Sequence, residues 1–441
     1  MSSFYLALLT LFVLFHGRVS GWVDETGLRG TSDILWTSLV TTFLATYTIL
    51  CLNVPSRGES WVWPLARRFL WMGVAMLGPE FVLAAASGQW AAATRSVEAF
   101  KIAGYPQWTM RHAFFADMGG IELNARDSPP FRINATHLHW LVTQGYLPFP
   151  DIPLEEIWDK SKFDSVAKLI TLLQVSYLIL QCVARGIQHL TITTLELFAL
   201  AIVVCAIPIS FCWRHKPVDF KLPMKLHMAT SISDLLCAAG DEAARPYQQT
   251  PLDFIDDLKP SWSLNIQTYV HMPIPPFERP IPRFGNDRFP WLELPHSTAL
   301  SVATLLYAGI HLFAWNWSFP SQTESILWRI SSMIMVGSTV AFWVVETVAV
   351  WYRWNGGERY WFQLWGQLEE YERLQAEREK KSKLDGRPPF PLKSEFWVMF
   401  CLALVYGSAR LYLFVEAFWG LRALEPSAYV AIDWLKIIPH V

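Results

Sequence analysis

Apolar residues fall into long runs in this chain, and polar stretches of very different length separate the runs. Six runs are long enough, at about 1.5 Å of rise per residue, to cross the roughly 30 Å hydrocarbon core of a bilayer as helices. They cover residues 34–53, 166–184, 192–213, 299–317, 330–352 and 396–418. The pattern predicts an all-α fold, a polytopic transmembrane helix bundle with loop regions on the cytosolic side.

A seventh apolar run, residues 69–87, is interrupted near its middle by Gly78-Pro79-Glu80. Proline removes a backbone donor and breaks the helical hydrogen-bond ladder, and the glutamate adds a charge. Irregular backbone at membrane depth is tolerated only where protein or water surrounds it. The run is therefore expected to cross the membrane, to re-enter it from one side or to lie at its surface.

The N-terminal segment 1–21 has the features of a signal peptide. Its short apolar run, 4–15, is followed by the small residues Val19-Ser20-Gly21, which suit a cleavage site. No lysine or arginine precedes the run, so an uncleaved anchor is the alternative. Residues 22–441 then form a single membrane domain. Its polar parts are a folded loop region at 88–164, a proline-rich cytosolic segment at 217–297, and an interfacial or cytosolic helix at 361–383.

The distribution of lysine and arginine predicts the orientation. The densest basic cluster, 373–387, lies between the last two apolar runs, and the positive-inside rule assigns that segment to the cytosol. Counting spans backwards, the basic stretch 214–225 is also cytosolic, whereas the connection 185–189 lies on the opposite side. We expect an integral membrane protein of the secretory pathway, in the endoplasmic reticulum or the plasma membrane.

Composition agrees with a membrane protein and narrows its partners. Hydrophobic residues make up 52% of the chain and charged residues 17%, so the expected partner is the lipid bilayer, with a lipid or a hydrophobic small molecule as the ligand class. The net charge of -2 argues against nucleic acid, which requires a basic face. The six cysteines lie mostly in apolar runs and predict no disulfide framework. Oligomeric state does not follow from the sequence.

Arg410 lies deep inside the last apolar run and requires a buried partner. Counting about 1.5 Å per residue places Arg410 roughly 22 Å from the cytosolic start of its helix, at the depth of Glu196 and His311. We expect these three residues to meet, either as a structural contact or as candidate catalytic groups for acid-base chemistry. A capping box at Thr193-Thr194-Leu195-Glu196 is the alternative role for Glu196.

Four other residues are candidate binding groups. Glu80 and Glu346 are ionisable residues within apolar runs, although Glu346 is mismatched in depth with Arg410. His112 and Asp117 lie in the loop region.

His137 and His139 are weak metal candidates, because an HxH pair presents both imidazoles on one side only in an extended chain. A third ligand is not apparent, so no metal is predicted. No cofactor, hydrolase or nucleotide motif occurs, and none is expected.

Several short motifs together resemble a family of fungal multi-pass membrane proteins of unknown function. The resemblance runs through most of the chain but not the polar segment around 245–288. It is carried by Arg29-Gly30-Thr31, Asp33-Ile34-Leu35-Trp36, Leu52-Asn53-Val54-Pro55, Asp159-Lys160-Ser161-Lys162, the RLYLFVEAFWGLRAL stretch from Arg410, and the closing IPHV. It implies membrane residence and fungal origin, and it supplies no catalytic residue.

Two function classes therefore stay open. The first is a membrane protein that binds a lipid, a solute or a protein partner. The second is a membrane-embedded enzyme that uses acid-base chemistry on a lipid or terpenoid-like substrate.

Overall fold

A computed structural model of the chain describes most of the apolar runs and the loops between them. The described residues are 29–159, 162–218, 220, 223–244, 247, 249–256, 278–286, 294–353, 365–367, 369–374, 376–377 and 393–434. The predicted signal peptide at 1–21 and most of the predicted helix at 361–383 lie outside them.

The described chain is mostly helical, as predicted. The helices are α1 Thr31–Thr48, α2 Val62–Leu77, α3 Pro79–Ile102, α4 Met110–Asp117, α5 Ala135–Thr143, α6 Leu154–Asp159, α7 Lys162–Ile187, α8 Thr194–Cys212, α9 Ile232–Ala239, α10 Leu294–Ile310, α11 Gln322–Arg353 and α12 Lys393–Trp419. Short 3₁₀ turns occupy Gly240–Ala243, His311–Asn316, Gly420–Ala423 and Pro426–Tyr429.

A small sheet joins the loop region after α3 to the segment after α8. Strand β1 is Ile121–Asn124, β2 is Phe131–Ile133 and β3 is Met224–His227, in the order β2-β1-β3. β1 pairs antiparallel with β2 and parallel with β3. Because the buried strand β1 lies between the other two, the sheet joins described parts of the predicted loop segments 88–164 and 217–297.

Five helical segments are long and apolar enough to cross a membrane: Val166–Ile187, Thr194–Cys212, His296–Asn316, Gln322–Val348 and Phe396–Ala423. The prediction of six is therefore one too many, and the segment in error is 34–53.

The physical reason for the difference lies in α1. This helix ends at Thr48, so the apolar residues 49–52 fall outside it, and six threonines lower its hydrophobicity. The helix still belongs to the bundle, because it packs against α7 and α8. Its hydroxyls form specific contacts there: Thr48 Oγ1 lies 3.0 Å from Thr171 Oγ1, and Gln174 Nε2 donates to Thr41 Oγ1 at 3.1 Å.

The bundle has two ends, which we name by a buried basic residue at each. At the Arg185 end α7 finishes and α8 begins, and α1 also begins there because Arg29 pairs with Glu196. At the Lys216 end α1 and α8 finish, and α10 begins because His296 packs on Trp90 beside Phe211. α11 and α12 run in opposite directions.

Arg185 closes its end of the bundle with backbone contacts. It is fully buried. Its Nε donates to Thr191 O at 2.8 Å, its Nη1 to Val430 O at 3.0 Å, and its Nη2 to Ser427 O at 2.9 Å and Ala428 O at 3.1 Å. One side chain thus satisfies four carbonyl oxygens and holds the C-terminal segment, 420–434, across the helix ends.

Helices α2 and α3 form a V whose point lies inside the bundle. The chain bends by 110° at Gly78, the position where the sequence predicts a break. On the α2 arm, the Arg68 guanidinium lies 4.2 Å from the centroid of the Tyr47 ring, close to the end of α1. On the α3 arm, Gln89 Oε1 accepts a hydrogen bond of 3.0 Å from Trp213 Nε1, just past the end of α8. Both arms therefore open toward the Lys216 end.

Replacement of Arg185 should destabilise the protein markedly. Arg185→Met leaves four carbonyl oxygens, one buried and three partly buried, without this donor, and each fully buried group of this kind costs about 1–3 kcal/mol. We expect a loss of at least about 3 kcal/mol in apparent unfolding free energy in detergent. The control is Arg214→Met, because Arg214 is exposed and donates only to Phe211 O of its own turn. Equal stability of the two variants would contradict the assigned role.

Candidate functional site

The bend between α2 and α3 is in contact with Arg410 of α12. Arg410 is only 1% exposed, and its Nη2 donates to Met76 O at 3.2 Å. Met76 lies in the last turn of α2, where carbonyl groups lose their helical partners and carry the negative end of the helix dipole. The guanidinium thus provides the donor and the positive charge that this helix end requires.

His311 is the partner of the other terminal nitrogen of the Arg410 guanidinium, Nη1. Arg410 Nη1 and His311 Nε2 are 2.6 Å apart, and His311 is fully buried. A guanidinium has no acceptor, so the imidazole Nε2 accepts the hydrogen bond. His311 is therefore neutral, with its proton on Nδ1. That nitrogen lies near the carbonyl groups of Tyr307 and Ala308, one turn earlier.

Two aromatic rings flank the guanidinium plane. The guanidinium carbon of Arg410 lies 4.0 Å from the centroid of Phe198 and 5.1 Å from that of Tyr307. Such cation–π contacts stabilise a desolvated cation by about 2 kcal/mol or more. Arg410 is thus held in place by two hydrogen bonds and two rings.

Glu80 lies on the other side of the bend, as the second residue of α3. Both of its carboxylate oxygens are buried. The carboxylate lies near its own backbone N–H, near the Tyr406 hydroxyl and within electrostatic range of Arg410. Tyr406 in turn lies near Tyr307. We call Glu80, Tyr307, His311, Tyr406 and Arg410 the tip cluster.

Several polar atoms of the tip cluster lack a hydrogen bond. They are both oxygens of Glu80, the hydroxyl oxygens of Tyr307 and Tyr406, Nδ1 of His311 and Nε of Arg410, all buried and without a well-formed hydrogen bond among the described residues. The Tyr406 hydroxyl lies close to both Glu80 and Tyr307. Buried polar groups in proteins almost always have partners, frequently ordered water or ions. The tip cluster thus offers several donors and acceptors to a small polar molecule.

The tip cluster lies about halfway along the bundle. Glu80 is within electrostatic range of Cys205, which is 11 residues into α8. At about 1.5 Å per residue, Cys205 lies roughly 16 Å from the start of that helix. The bend therefore lies near the middle of a layer about 30 Å thick.

The structure brings together two of the three candidate catalytic residues. Arg410 and His311 are in contact, whereas Glu196 lies elsewhere. Glu196 forms a buried ion pair with Arg29, and its Oε2 accepts hydrogen bonds of 2.9 Å from both N and Oγ1 of Thr193. It thus takes the capping-box role that was the alternative. Depth counting missed Arg29 because that residue precedes the first helix.

Of the four candidate binding residues, one lies in the tip cluster and three lie elsewhere. Glu80 belongs to the tip cluster, while Glu346 lies half-buried on α11 and is not among the groups that contact Arg410.

His112 and Asp117 organise the loop region. His112 Nε2 lies 3.0 Å from Ile152 O and its Nδ1 accepts from Thr109 N at 3.1 Å. Asp117 accepts from Ala135 N at 3.0 Å, at the start of α5.

His137 and His139 do not form a metal site. Both lie on helix α5, where residues two apart point to different faces. His137 Nε2 lies 2.9 Å from Asp256 Oδ2, and the His139 ring packs edge-on against Phe100 at 5.0 Å between centroids. Among the described residues, no group of three His, Cys, Asp or Glu side chains is placed to hold a metal ion.

Lys216 is a buried residue that sequence reasoning missed. It is 5% exposed, and its Nζ donates to Gln89 Oε1 at 2.9 Å and Asn53 Oδ1 at 3.2 Å above the Trp213 ring. Burial lowers the pKa of Lys216 from 10.5 to about 8. In the sequence it resembles an ordinary basic residue flanking a helix, because no nearby residue indicates that the segment folds back on α3.

The lowered pKa of Lys216 predicts a pH dependence of stability. Between about pH 8 and pH 10.5 the unfolded chain retains a proton on this amine that the folded chain has lost, so stability should rise with pH through this window. The gain should reach at most about 3 kcal/mol. Unfolding in detergent should show the rise, and Lys216→Met should abolish it. Replacement of the exposed Lys101 by Met should leave the rise intact, and an unchanged slope in Lys216→Met would refute the assignment.

Comparison with known proteins identifies a family. No curated protein and no solved structure matches the chain. One family model matches residues 2–239 and 295–441, which include every residue of the tip cluster, and its two segments flank the proline-rich stretch. The chain therefore belongs to DUF8562, a family of unknown function.

Proposed function

We propose that this protein is an integral membrane protein that binds a small polar solute at the tip of a re-entrant helix pair. The observation that carries the proposal is the group of buried, unpartnered polar atoms at the α2–α3 bend. Broken helices at mid-depth are a recurrent way in which membrane proteins build solute sites, because the helix ends supply free backbone groups and dipoles.

The exposed apolar surface supports membrane residence. On α7, Val166, Leu172, Leu173 and Ile187 are each at least 60% exposed. Such a surface is unfavourable in water but suits contact with lipid chains. Five segments have the length and composition of membrane spans.

Helices α2 and α3 both extend from the bend toward the Lys216 end, which supports a re-entrant pair rather than a helix that crosses the membrane. Arg68 on α2 meets the end of α1, and Gln89 on α3 meets the segment just after α8. The chain therefore enters toward the tip and returns to the Lys216 end. The predicted orientation places that end in the cytosol of a secretory-pathway membrane, and fungal origin also stays a prediction.

A solute is a better explanation of the tip cluster than catalysis. Each unpartnered buried polar group costs about 1–3 kcal/mol, so the six such atoms of the tip cluster represent a large cost that a bound molecule would reduce. For acid-base catalysis, the His311 Nε2 lone pair is already used by Arg410, and the carboxylate of Glu196 is held by Arg29 and Thr193. A lipid-modifying enzyme is the less favoured alternative.

Side-specific labelling tests the re-entrant arrangement. Ser60→Cys and Lys101→Cys place exposed thiols near the outer ends of the two arms, in a background without the native cysteines. Both should react with a membrane-impermeant maleimide from the same face of sealed vesicles. A single-cysteine protein that retains the exposed Cys237 serves as the reference for that face. Labelling of positions 60 and 101 from opposite faces would refute re-entry.

The native Cys205 tests solute access to the tip. It is buried and lies within electrostatic range of Glu80. If small polar molecules reach the tip, a small water-soluble thiol reagent should modify Cys205 in the folded protein faster than the equally buried Cys182 near the end of α7. Mass spectrometry of single-cysteine variants measures the two rates. Equal, negligible rates would indicate a permanently closed packing cluster and contradict the proposed function.

A further inference from the structure

We propose that the tip cluster binds a small monovalent anion together with a proton, the anion on Arg410 and the proton on Glu80. This inference rests on the proposed solute site and specifies the chemistry of its occupant. It follows from the charges of the residues at the bend and from the hydrogen-bond donors that these residues can offer to an anion.

The first step concerns the charge of Arg410. Among the described residues, no carboxylate lies within ion-pair distance of this guanidinium, and its contacts are a neutral imidazole, a backbone carbonyl and two rings. A guanidinium remains charged in proteins. A buried charge is strongly unfavourable unless a counter-ion compensates it, and Glu80 acts on Arg410 only through space. The guanidinium can therefore bind an anion in direct contact.

The second step concerns the free donors. Within the described part of the chain, Arg410 Nε–H has no acceptor, and the hydroxyl groups of Tyr307 and Tyr406 form no well-aligned hydrogen bond. All three can donate to an anion. A bound anion would thus meet one charged and two neutral donors at a depth where water cannot compete, the condition under which such hydrogen bonds are strongest.

The third step concerns the protonation of Glu80. The groups facing it are Arg410 and Tyr406 from α12, Tyr307 from α10 and Cys205 from α8. His311, in the 3₁₀ turn after α10, contacts Arg410. The helix N-terminus favours an ionised carboxylate by up to about 2 kcal/mol. Desolvation costs several kcal/mol for a buried ion, so it outweighs the dipole unless Arg410 compensates.

Because Arg410 compensates the charge of Glu80, anion binding to Arg410 and proton binding to Glu80 are coupled. Without an occupant, the ionised Glu80 and Arg410 partly neutralise each other through space. When an anion binds Arg410, that compensation is lost and an ionised Glu80 would repel it. A proton from bulk water then forms an O–H bond on the Glu80 carboxylate, which becomes a further donor. One proton and one anion enter together, and the net charge of the tip changes by zero.

The experiment uses the full chain in lipid nanodiscs, with chloride and acetate as the anion probes. Isothermal titration at a series of pH values measures affinity for each. At least one anion should bind, and its affinity should increase by up to about tenfold for each pH unit of acidification, because binding takes up a proton. Glu80→Gln, which mimics the protonated state, should bind with little pH dependence.

Two further variants separate the site from general charge effects. Arg410→Met should lose anion binding by more than tenfold. Glu416→Gln is the matched control, since Glu416 is also a buried carboxylate of α12. It lies about two helical turns beyond Arg410 toward the Arg185 end, beside Tyr412. It should retain both the affinity and the pH dependence.

Infrared difference spectroscopy provides a readout that does not depend on folding of the Arg410 variant. Addition of the bound anion at neutral pH should produce a protonated carboxylic-acid C=O band, absent in Glu80→Gln. Failure of both anions to bind, binding without pH dependence, or absence of the band would overturn the inference. If Cys205 is nevertheless accessible, the proposed solute site survives and its occupant is a neutral molecule.

Discussion

The contact between Arg410 and the end of α2 is the interaction on which the interior depends. A helix that stops inside an apolar bundle leaves carbonyl groups without donors, and there is no water to satisfy them. Arg410 reaches this break from a different helix and donates to Met76 O, while His311 fixes its orientation. Without that cation, the bend at Gly78 would carry an uncompensated negative helix end in the least polar part of the molecule.

The two ends of the bundle are built differently around this centre. At the Arg185 end, arginine side chains and backbone carbonyls form a closed network in which most groups are satisfied. At the Lys216 end, the arms of the V, the small sheet and the proline-rich stretch meet, and the contacts are between amides, a lysine and aromatic rings. Movement that admits a solute is expected at the Lys216 end, because its contacts are individually weaker and more polar.

Much of the fold follows from the sequence, whereas the partners of buried charges follow only in part. Runs of apolar residues locate the long helices because length and hydrophobicity act locally. Depth counting brought Arg410 and His311 together, since Arg410 lies on a regular helix and His311 directly follows the end of another. It failed for Glu196, whose partner Arg29 lies in the chain before α1, and it could not find Tyr307 or Tyr406, because tyrosines in apolar helices resemble ordinary packing residues. The length of the apolar run also led to one span too many, at α1, where threonines take the place of apolar side chains.

The contacts of Arg185 impose an order on the maturation of the chain. Its acceptors at Ser427, Ala428 and Val430 leave the ribosome more than 240 positions after Arg185 itself. Until they arrive, a cation destined for the interior remains without its ligands, and the first helices cannot close around it. A nascent chain that has not yet reached these residues would therefore carry an arginine without its carbonyl acceptors at this end of the bundle.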